Sequence, residues 1–145
     1  MKRIISLALC FIMAFTLCQP VFAANTITWN GEAGDGSWHT AGNWDPAQVP
    51  VDGDYVIIPG SSVVEYVYDD TSVCLDCAGD LTVSGGTLEL ASGNSSLTSG
   101  KLDGAGDITI ATGGNLLWSG GSIEGDGTFT VNSGAQLNIE TDNNV

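Results

Sequence analysis

The nonapeptide LDGAGDITI at residues 102–110 returns as IEGDGTFTV at residues 123–131. Seven of the nine paired positions are identical or chemically similar. The repeat continues in the same phase, because GGNLLW at residues 113–118 corresponds to GAQLNI at residues 134–139. A repeat of this length is typical of a solenoid, in which each copy packs mainly on its two neighbours.

Apolar and polar residues alternate inside the copies. Ile108 and Ile110 should face one side of a strand and Thr109 the other. A looser copy, LTVSGGTLEL at residues 81–90, aligns Leu81 with Ile108. Glycine-rich junctions separate these short runs and suit tight corners. The sequence therefore predicts an all-β protein that forms a short parallel β-helix, or β-solenoid, of a few rungs.

An antiparallel β-sandwich is the alternative fold, since it also has short strands and many turns. A sandwich gives no reason for a nine-residue string to return at a fixed offset, so the solenoid is favoured. We assign residues 61–145 to β-solenoid repeats with a period of about 21 residues.

Residues 1–23 have the pattern of a signal peptide. Lys2 and Arg3 precede an almost unbroken apolar run at residues 4–18, and Val21-Phe22-Ala23 provides a cleavage site. The apolar run is too short to span a bilayer comfortably. We therefore expect a secreted protein, extracellular or on the cell surface, without membrane insertion.

Removal of residues 1–23 leaves Lys101 as the only basic residue against all 17 acidic ones, so the net charge becomes −16. Nucleic-acid binding is not expected, because the chain lacks the cationic surface that would displace phosphate counterions. Neutral glycans are better partners than polyanionic ones for the same Coulombic reason.

Residues 24–60 are rich in tryptophan and proline and form a predicted N-terminal capping segment. Solenoids leave strand edges and an apolar cross-section at each end, and large aromatic rings can cover them. Tryptophans can instead act as platforms on which sugar rings stack. The candidates for glycan stacking are Trp38, Trp44 and Trp118.

The capping segment also carries a recognisable pattern, W-x-G, G-x-W and N-W between residues 29 and 44, followed by VPVDGDYVIIP at residues 49–59. This pattern resembles the N-terminal segment of large bacterial secreted and surface β-helix proteins of the autotransporter-like, adhesin type. The glycine-rich repeats are similar to theirs as well, so the resemblance extends over most of residues 27–139. It implies a β-helix with an adhesive role.

Two polar features could bind or bridge something. Cys74 and Cys77 could form a disulfide if the chain turns between them, because their Cα atoms would be about 10 Å apart in an extended strand. Two buried free thiols are the alternative. The weak calcium candidates are Asp52, Asp54, Asp69 and Asp70. A solvated acidic surface explains the same residues, and no other cofactor is expected.

Catalysis is not expected. His39 is the only histidine and has no nucleophile motif beside it, and one lysine cannot form the cationic cluster that cleavage of acidic polysaccharides requires. A polysaccharide lyase or hydrolase is therefore the least favoured function. The leading interpretation is a non-catalytic secreted or cell-surface structural or adhesion module; the alternative is a carbohydrate-binding module for neutral glycans.

The C-terminal end predicts a partner. Leu137 and Ile139 should lie on the last rung, and residues 140–145 are too few and too polar to cover it. We expect one of three outcomes: association of this end with another copy or another solenoid segment, a disordered last rung, or a chain that is the start of a longer adhesin.

Overall fold

The computed structural model describes residues 24–67 and 69–140, with the side chain of Asp69 outside the described part. The predicted signal peptide at residues 1–23 also lies outside it. The described residues contain fourteen β-strands and a single 3-10 turn at Ala41–Asn43, without an α-helix. The strands are β1 (Thr26–Trp29), β2 (Trp44–Asp45), β3 (Tyr55–Ile58), β4 (Val63–Tyr66), β5 (Asp69–Cys77), β6 (Asp80–Val83), β7 (Gly86–Leu90), β8 (Asn94–Leu97), β9 (Lys101–Asp103), β10 (Asp107–Ile110), β11 (Asn115–Trp118), β12 (Ser122–Ile123), β13 (Phe129–Val131) and β14 (Gln136–Ile139).

The strands form three parallel stacks, which the chain visits in turn. The first stack contains β1, β3, the second half of β5, β8, β11 and β14. The second contains β4, β6, β9 and β12, and the third contains the first half of β5, β7, β10 and β13. The all-β prediction and the β-solenoid, with about four turns, are therefore confirmed.

The repeat seen in the sequence holds in the later turns. Leu102 pairs with Ile123, Ile108 with Phe129, and Leu116 with Leu137, as the repeat predicts. Each pair stacks inward, which places aliphatic and aromatic side chains in continuous columns.

The alignment of Leu81 with Ile108 is wrong. Leu81 lies in the second stack, where it pairs with Leu102, and Ile108 pairs with Leu88. The early turns are also shorter than the later ones, because Val63 already pairs with Asp80, a smaller step than that from Leu102 to Ile123. Alternating strings resemble each other on any face of the coil, so local similarity alone does not identify the stack.

The parallel stacking begins before the expected boundary at residue 61. Strand β3 already pairs in parallel with β5 on one side and with β1 on the other. The core is a single cluster that runs through the coil from Ile27 to Leu116. The capping segment thus contributes two strands to the solenoid as well as the residues that cover its end.

At one corner of the coil, the backbones of Gly79, Gly100 and Gly121 stack directly on one another. A Cβ atom placed on Gly100 would lie 2.2 Å from the carbonyl oxygen of Gly79, and one on Gly121 would lie 2.3 Å from the carbonyl oxygen of Gly100. Gly100 and Gly121 also have positive φ angles, of +65° and +74°. Successive turns therefore meet here main chain against main chain, and only glycine fits.

Candidate functional site at the two ends of the solenoid

A tryptophan cluster closes the N-terminal end. The Trp44 ring makes edge-to-face contacts with Trp29 and Trp38, each at 4.9 Å between ring centroids, and Trp38 contacts Tyr66 in the same way at 5.3 Å. The Trp44 indole Nε1 donates a hydrogen bond of 2.7 Å to the Trp38 carbonyl oxygen. These rings fill the space over the first rung with apolar surface.

Two of the three proposed glycan platforms are wrong for this reason. Trp38 is fully buried and Trp44 is 1 % exposed, so neither ring face is available to a sugar. The other role considered for tryptophan in this segment, packing within the cap, accounts for both rings.

The cap also pairs the first strand of every stack. In the first stack, β1 and the antiparallel β2 lie beyond β3. In the second, Glu65 exchanges two backbone hydrogen bonds, of 2.9 and 2.8 Å, with residues 36–38. In the third, the Ser72 carbonyl accepts from the Gly53 amide at 2.8 Å, and the Ser72 amide donates to Asp52 Oδ1 at 2.9 Å. Among the described residues, every stack therefore has hydrogen bonds to the cap at its N-terminal edge.

A polar network holds the loop that carries Trp38. Asn43, which is fully buried, donates from Nδ2 to Asp35 Oδ1 and to the Ser37 carbonyl, and accepts from the Ala33 amide. The Thr40 hydroxyl donates to Asp35 at 2.7 Å and is the main reason that the pKa of this carboxyl lies below its ordinary value. These bonds make the loop a preformed cover for the first rung.

Asp54, one of the calcium candidates, is a structural residue. It is 2 % exposed, and its two carboxylate oxygens accept hydrogen bonds from the backbone amides of Asn25 and Val51 at 3.0 and 2.9 Å. Both oxygens thereby connect the start of the described chain to the loop before β3.

Among the described side chains, Asp52 and Asp70 do not form a group of metal ligands with it. Asp52 accepts from the Ser72 amide, and Asp70 Oδ1 accepts from the Thr87 amide at 3.1 Å, while the Asp69 side chain lies outside the described residues. Among the residues that the structure describes, no three acidic, histidine or cysteine side chains come together as metal ligands. The described residues therefore do not provide the cluster of carboxylates that a calcium site would need.

The disulfide prediction is wrong, because its condition is not met. Cys74 and Cys77 both lie in the nine-residue strand β5, without a turn between them, and both thiols are free. Residues three apart in a strand face opposite sides. Cys74 is half-buried on the outer side, and Cys77 is fully buried in the core, where its thiol donates to the Gly79 carbonyl at 3.3 Å. Burial raises the pKa of the Cys77 thiol to about 12.

The C-terminal end, by contrast, is open. Within residues 24–67 and 69–140, β12, β13 and β14 each pair with a strand of the preceding turn, and no strand pairs with their opposite edges. Val131 is 43 % exposed and Ile139 is 57 % exposed, although Ile110 and Leu97, which lie earlier in the same two columns, are buried. We call this surface the open end; its apolar residues are Trp118, Ile123, Phe129, Val131, Leu137 and Ile139.

Trp118 belongs to the open end and not to an outer wall of the coil. It lies in the inner column of the first stack, between Leu97 and Ile139 in register. Its indole Nε1 donates to the Gly121 carbonyl at 3.2 Å. The ring is half-buried although Ile139 of the next turn pairs with it in register. Of the three proposed sugar platforms, it is the one that keeps some exposed surface.

Carboxylates surround the apolar residues of the open end. Glu124, Asp126 and Glu140 all lie in the last described turn and are exposed. Lys101, the chain's only basic residue after the predicted signal peptide, is one turn away and pairs with Asp103 at 3.7 Å. The open end is thus an apolar surface with an acidic rim.

The described residues include no helix that is long and apolar enough to cross a membrane. Comparisons of the chain with protein-family models, with curated proteins and with solved structures gave no match.

Proposed function

We propose that the protein is a non-catalytic structural or adhesion module, secreted or held at the cell surface, that is joined to another solenoid segment through its open end. The observation that carries the proposal is the difference between the two ends. In the described part of the chain, cap residues are hydrogen-bonded to the N-terminal edge of every stack, whereas the last strand of every stack has no strand paired on its far side.

Physical chemistry favours coverage of the open end. Burial of the exposed apolar side chains there would stabilise the protein by roughly 25 cal/mol for every Å² of apolar surface removed from water. Unpaired strand edges also bind other strands readily, and proteins that do not use them usually block them with charge, proline or a covering loop. Here Val131 and Ile139 occupy the edge itself, and the acidic residues lie around it.

The proposal is tested by adding one turn. Residues 140–145 are replaced by a second copy of residues 119–139, which keeps the register of the later turns. We expect the added turn to pair with β12, β13 and β14, to raise the denaturant midpoint and to shift Trp118 emission to shorter wavelength. Trp29, Trp38 and Trp44 are already buried, so the change reports on the open end.

The matched control carries the same extension with its inward-facing residues changed to serine. This version should leave the midpoint and the Trp118 emission as they are in the starting chain. If the unmodified extension also remains unprotected in amide hydrogen exchange, the open end is not a joining surface and the proposal fails.

A further inference from the structure

We infer that the protein binds a neutral oligosaccharide on the outer face of its first stack, in a groove between Tyr55 of β3 and the asparagines Asn94 and Asn115 of β8 and β11. The inference goes beyond the proposed function, because it concerns a side of the coil and not its open end. Either can fail while the other holds: the added turn tests the open end, and saccharide binding tests the groove.

The outer face of the first stack is nearly free of charge. Among the outward side chains of β3, β8, β11, β14 and the second half of β5, all within the described residues, Asp76 is the only charged one. The outer faces of the other two stacks each carry at least three carboxylates, those of Glu65, Asp80 and Asp103 and those of Asp70, Glu89 and Asp107. Binding surfaces are depleted of charge at their centres, so the first face is the one suited to a neutral ligand.

A groove of about 330 Å³ lies on this face, lined by Tyr55, Asn94, Ser95, Ser96, Asn115 and Leu117. It runs along the coil, because β3, β5, β8 and β11 follow one another in the stack. Three spacings of about 4.8 Å give it a length of roughly 14 Å, enough for a short oligosaccharide. A groove of about 400 Å³ on the third stack is lined by Asp52, Asp70 and Glu89 and has no aromatic ring in its lining, so the same argument does not apply there.

Tyr55 provides the aromatic surface of the groove. It is 37 % exposed, and although its register partner is Cys74 of β5, it lines the groove together with residues of β8. The side chain therefore extends along the coil over β5. Burial, and then the nearby Asp76 and Cys74, raise the pKa of its hydroxyl, in agreement with this position. A ring with one polar end suits a ligand that has both an apolar face and hydroxyl groups, as a sugar has.

The asparagines are oriented before any ligand arrives. Asn138 Nδ2 donates to Asn115 Oδ1 at 2.6 Å, and Asn115 Nδ2 donates to Asn94 Oδ1 at 3.2 Å. This chain of hydrogen bonds ends at Asn94, whose Nδ2 group provides a donor at the groove. Each amide oxygen can also accept a second hydrogen bond. Sugar hydroxyls both donate and accept, and groups fixed in advance bind them at a lower entropic cost.

A peptide cannot bind this face by adding a strand. Strands β5, β8 and β11 each pair with a strand on both sides, so their backbone groups are already used. A ligand must be recognised here by a ring, amides and hydroxyls alone. The charge of −16 on the chain without its predicted signal peptide opposes an anionic polymer. A neutral glycan meets all of these conditions.

Isothermal titration calorimetry on the chain from Ala24 onward tests the inference with four neutral hexasaccharides: cellohexaose, xylohexaose, mannohexaose and maltohexaose. Hexagalacturonate, which has a carboxylate on each sugar, is the anionic comparison. We expect at least one neutral hexasaccharide to bind, and hexagalacturonate to bind at least about tenfold more weakly at low salt. Absence of binding by all four, or equal binding of hexagalacturonate, overturns the inference.

Substitutions locate the binding site. Tyr55→Ala should weaken binding by about tenfold or more, whereas Tyr55→Phe keeps the ring and should retain most of the affinity. Asn94→Asp keeps the shape of the side chain but replaces a donor with a negative charge, and should also weaken binding. Thr109→Ala, at an outward position of the third stack, is the control and should bind as the unmodified chain does. Equal affinity in all of these variants would place the ligand elsewhere and refute the groove.

Cys74 gives a second readout that needs no substitution. Its thiol lies between its register partner Tyr55 and Gly93, where a Cβ atom would be 2.8 Å from the Cys74 Sγ. Cys77, the other cysteine of the chain from Ala24 onward, is fully buried. A bound saccharide should slow the reaction of Cys74 with iodoacetamide severalfold at saturation. An unchanged rate with a saccharide that binds by calorimetry would contradict binding in this groove.

Discussion

The pKa of the Cys77 thiol is set by its position on the inner side of β5, where the side chain is buried. The residue faces the core between Ile58 and Leu97 in register, and its pKa rises from 9.0 to about 12, mainly because burial disfavours the thiolate. The unfolded chain loses this proton near pH 9, whereas the folded chain retains it to about pH 12. The unfolded state is therefore favoured increasingly as the pH rises through that window.

Cys77→Val should flatten the alkaline part of the stability profile. The unmodified chain should lose about 1.4 kcal/mol of unfolding free energy for each pH unit above pH 9 through this residue. Urea unfolding from pH 7 to pH 11 checks the prediction. Cys74→Ser, which changes the half-buried thiol on the outer side, is the control and should keep most of the loss. Parallel profiles for the unmodified chain and Cys77→Val would contradict it.

At the level of elements, the glycine corner shows two separate reasons for glycine: a positive φ angle and the lack of space for a Cβ atom. Gly100 needs both its positive φ of +65° and its lack of a side chain, because Gly79 and Gly121 pack directly against it. Gly34 has a comparable φ of +74°, but a Cβ atom there would meet nothing within 4 Å.

Alanine at these two positions should therefore have unequal effects. Gly34→Ala should cost about 1–2 kcal/mol, the usual strain of a left-handed residue. Gly100→Ala should cost at least twice as much, since the main chain of adjacent turns must also move apart. The free energy of unfolding from urea titrations measures both, and equal losses would show that the corner is not tightly packed.

Much of the arrangement of strands could be predicted from the sequence, because the repeat fixes the register wherever turns have equal length, as at Ile108 and Phe129. The early register could not, since the turn from Val63 to Asp80 is shorter. The state of Cys74 and Cys77 depended on whether β5 continued straight through them. Trp38 and Trp44 could not be assigned from residue type, because tryptophan serves equally for packing and for sugar stacking.

For the molecule as a whole, the dominant electrostatic feature is a charge of −16 on the chain without its predicted signal peptide, where 17 acidic residues face one lysine. Apart from the buried Asp54, the carboxylates of the described residues are exposed or half-buried, and Lys101 is the only basic residue to offset them. Mutual repulsion within the folded chain should lower its stability at low ionic strength.

Added salt should therefore raise the urea midpoint at neutral pH. Between about 0.01 M and 0.15 M sodium chloride the screening length falls from about 30 Å to about 8 Å, which is enough to weaken repulsion between turns. Near pH 3, where many of the carboxyl groups are protonated, the same titration serves as the control and should show a smaller rise. A urea midpoint that does not change with salt at pH 7 would mean that the charges are too far apart for their repulsion to lower the stability.

The separation of a finished end from an open one also bears on how such a protein changes over generations. Because the later turns share one register, duplication of the stretch of coding sequence that specifies a single turn would add a complete turn and leave the tryptophan cap untouched. The inserted turn would meet its neighbours with the same inward residues and the same glycine corner. Duplication or deletion of one repeat can therefore change the length of the solenoid without a new core. The open end would then lie one turn further from the cap, or one turn closer to it.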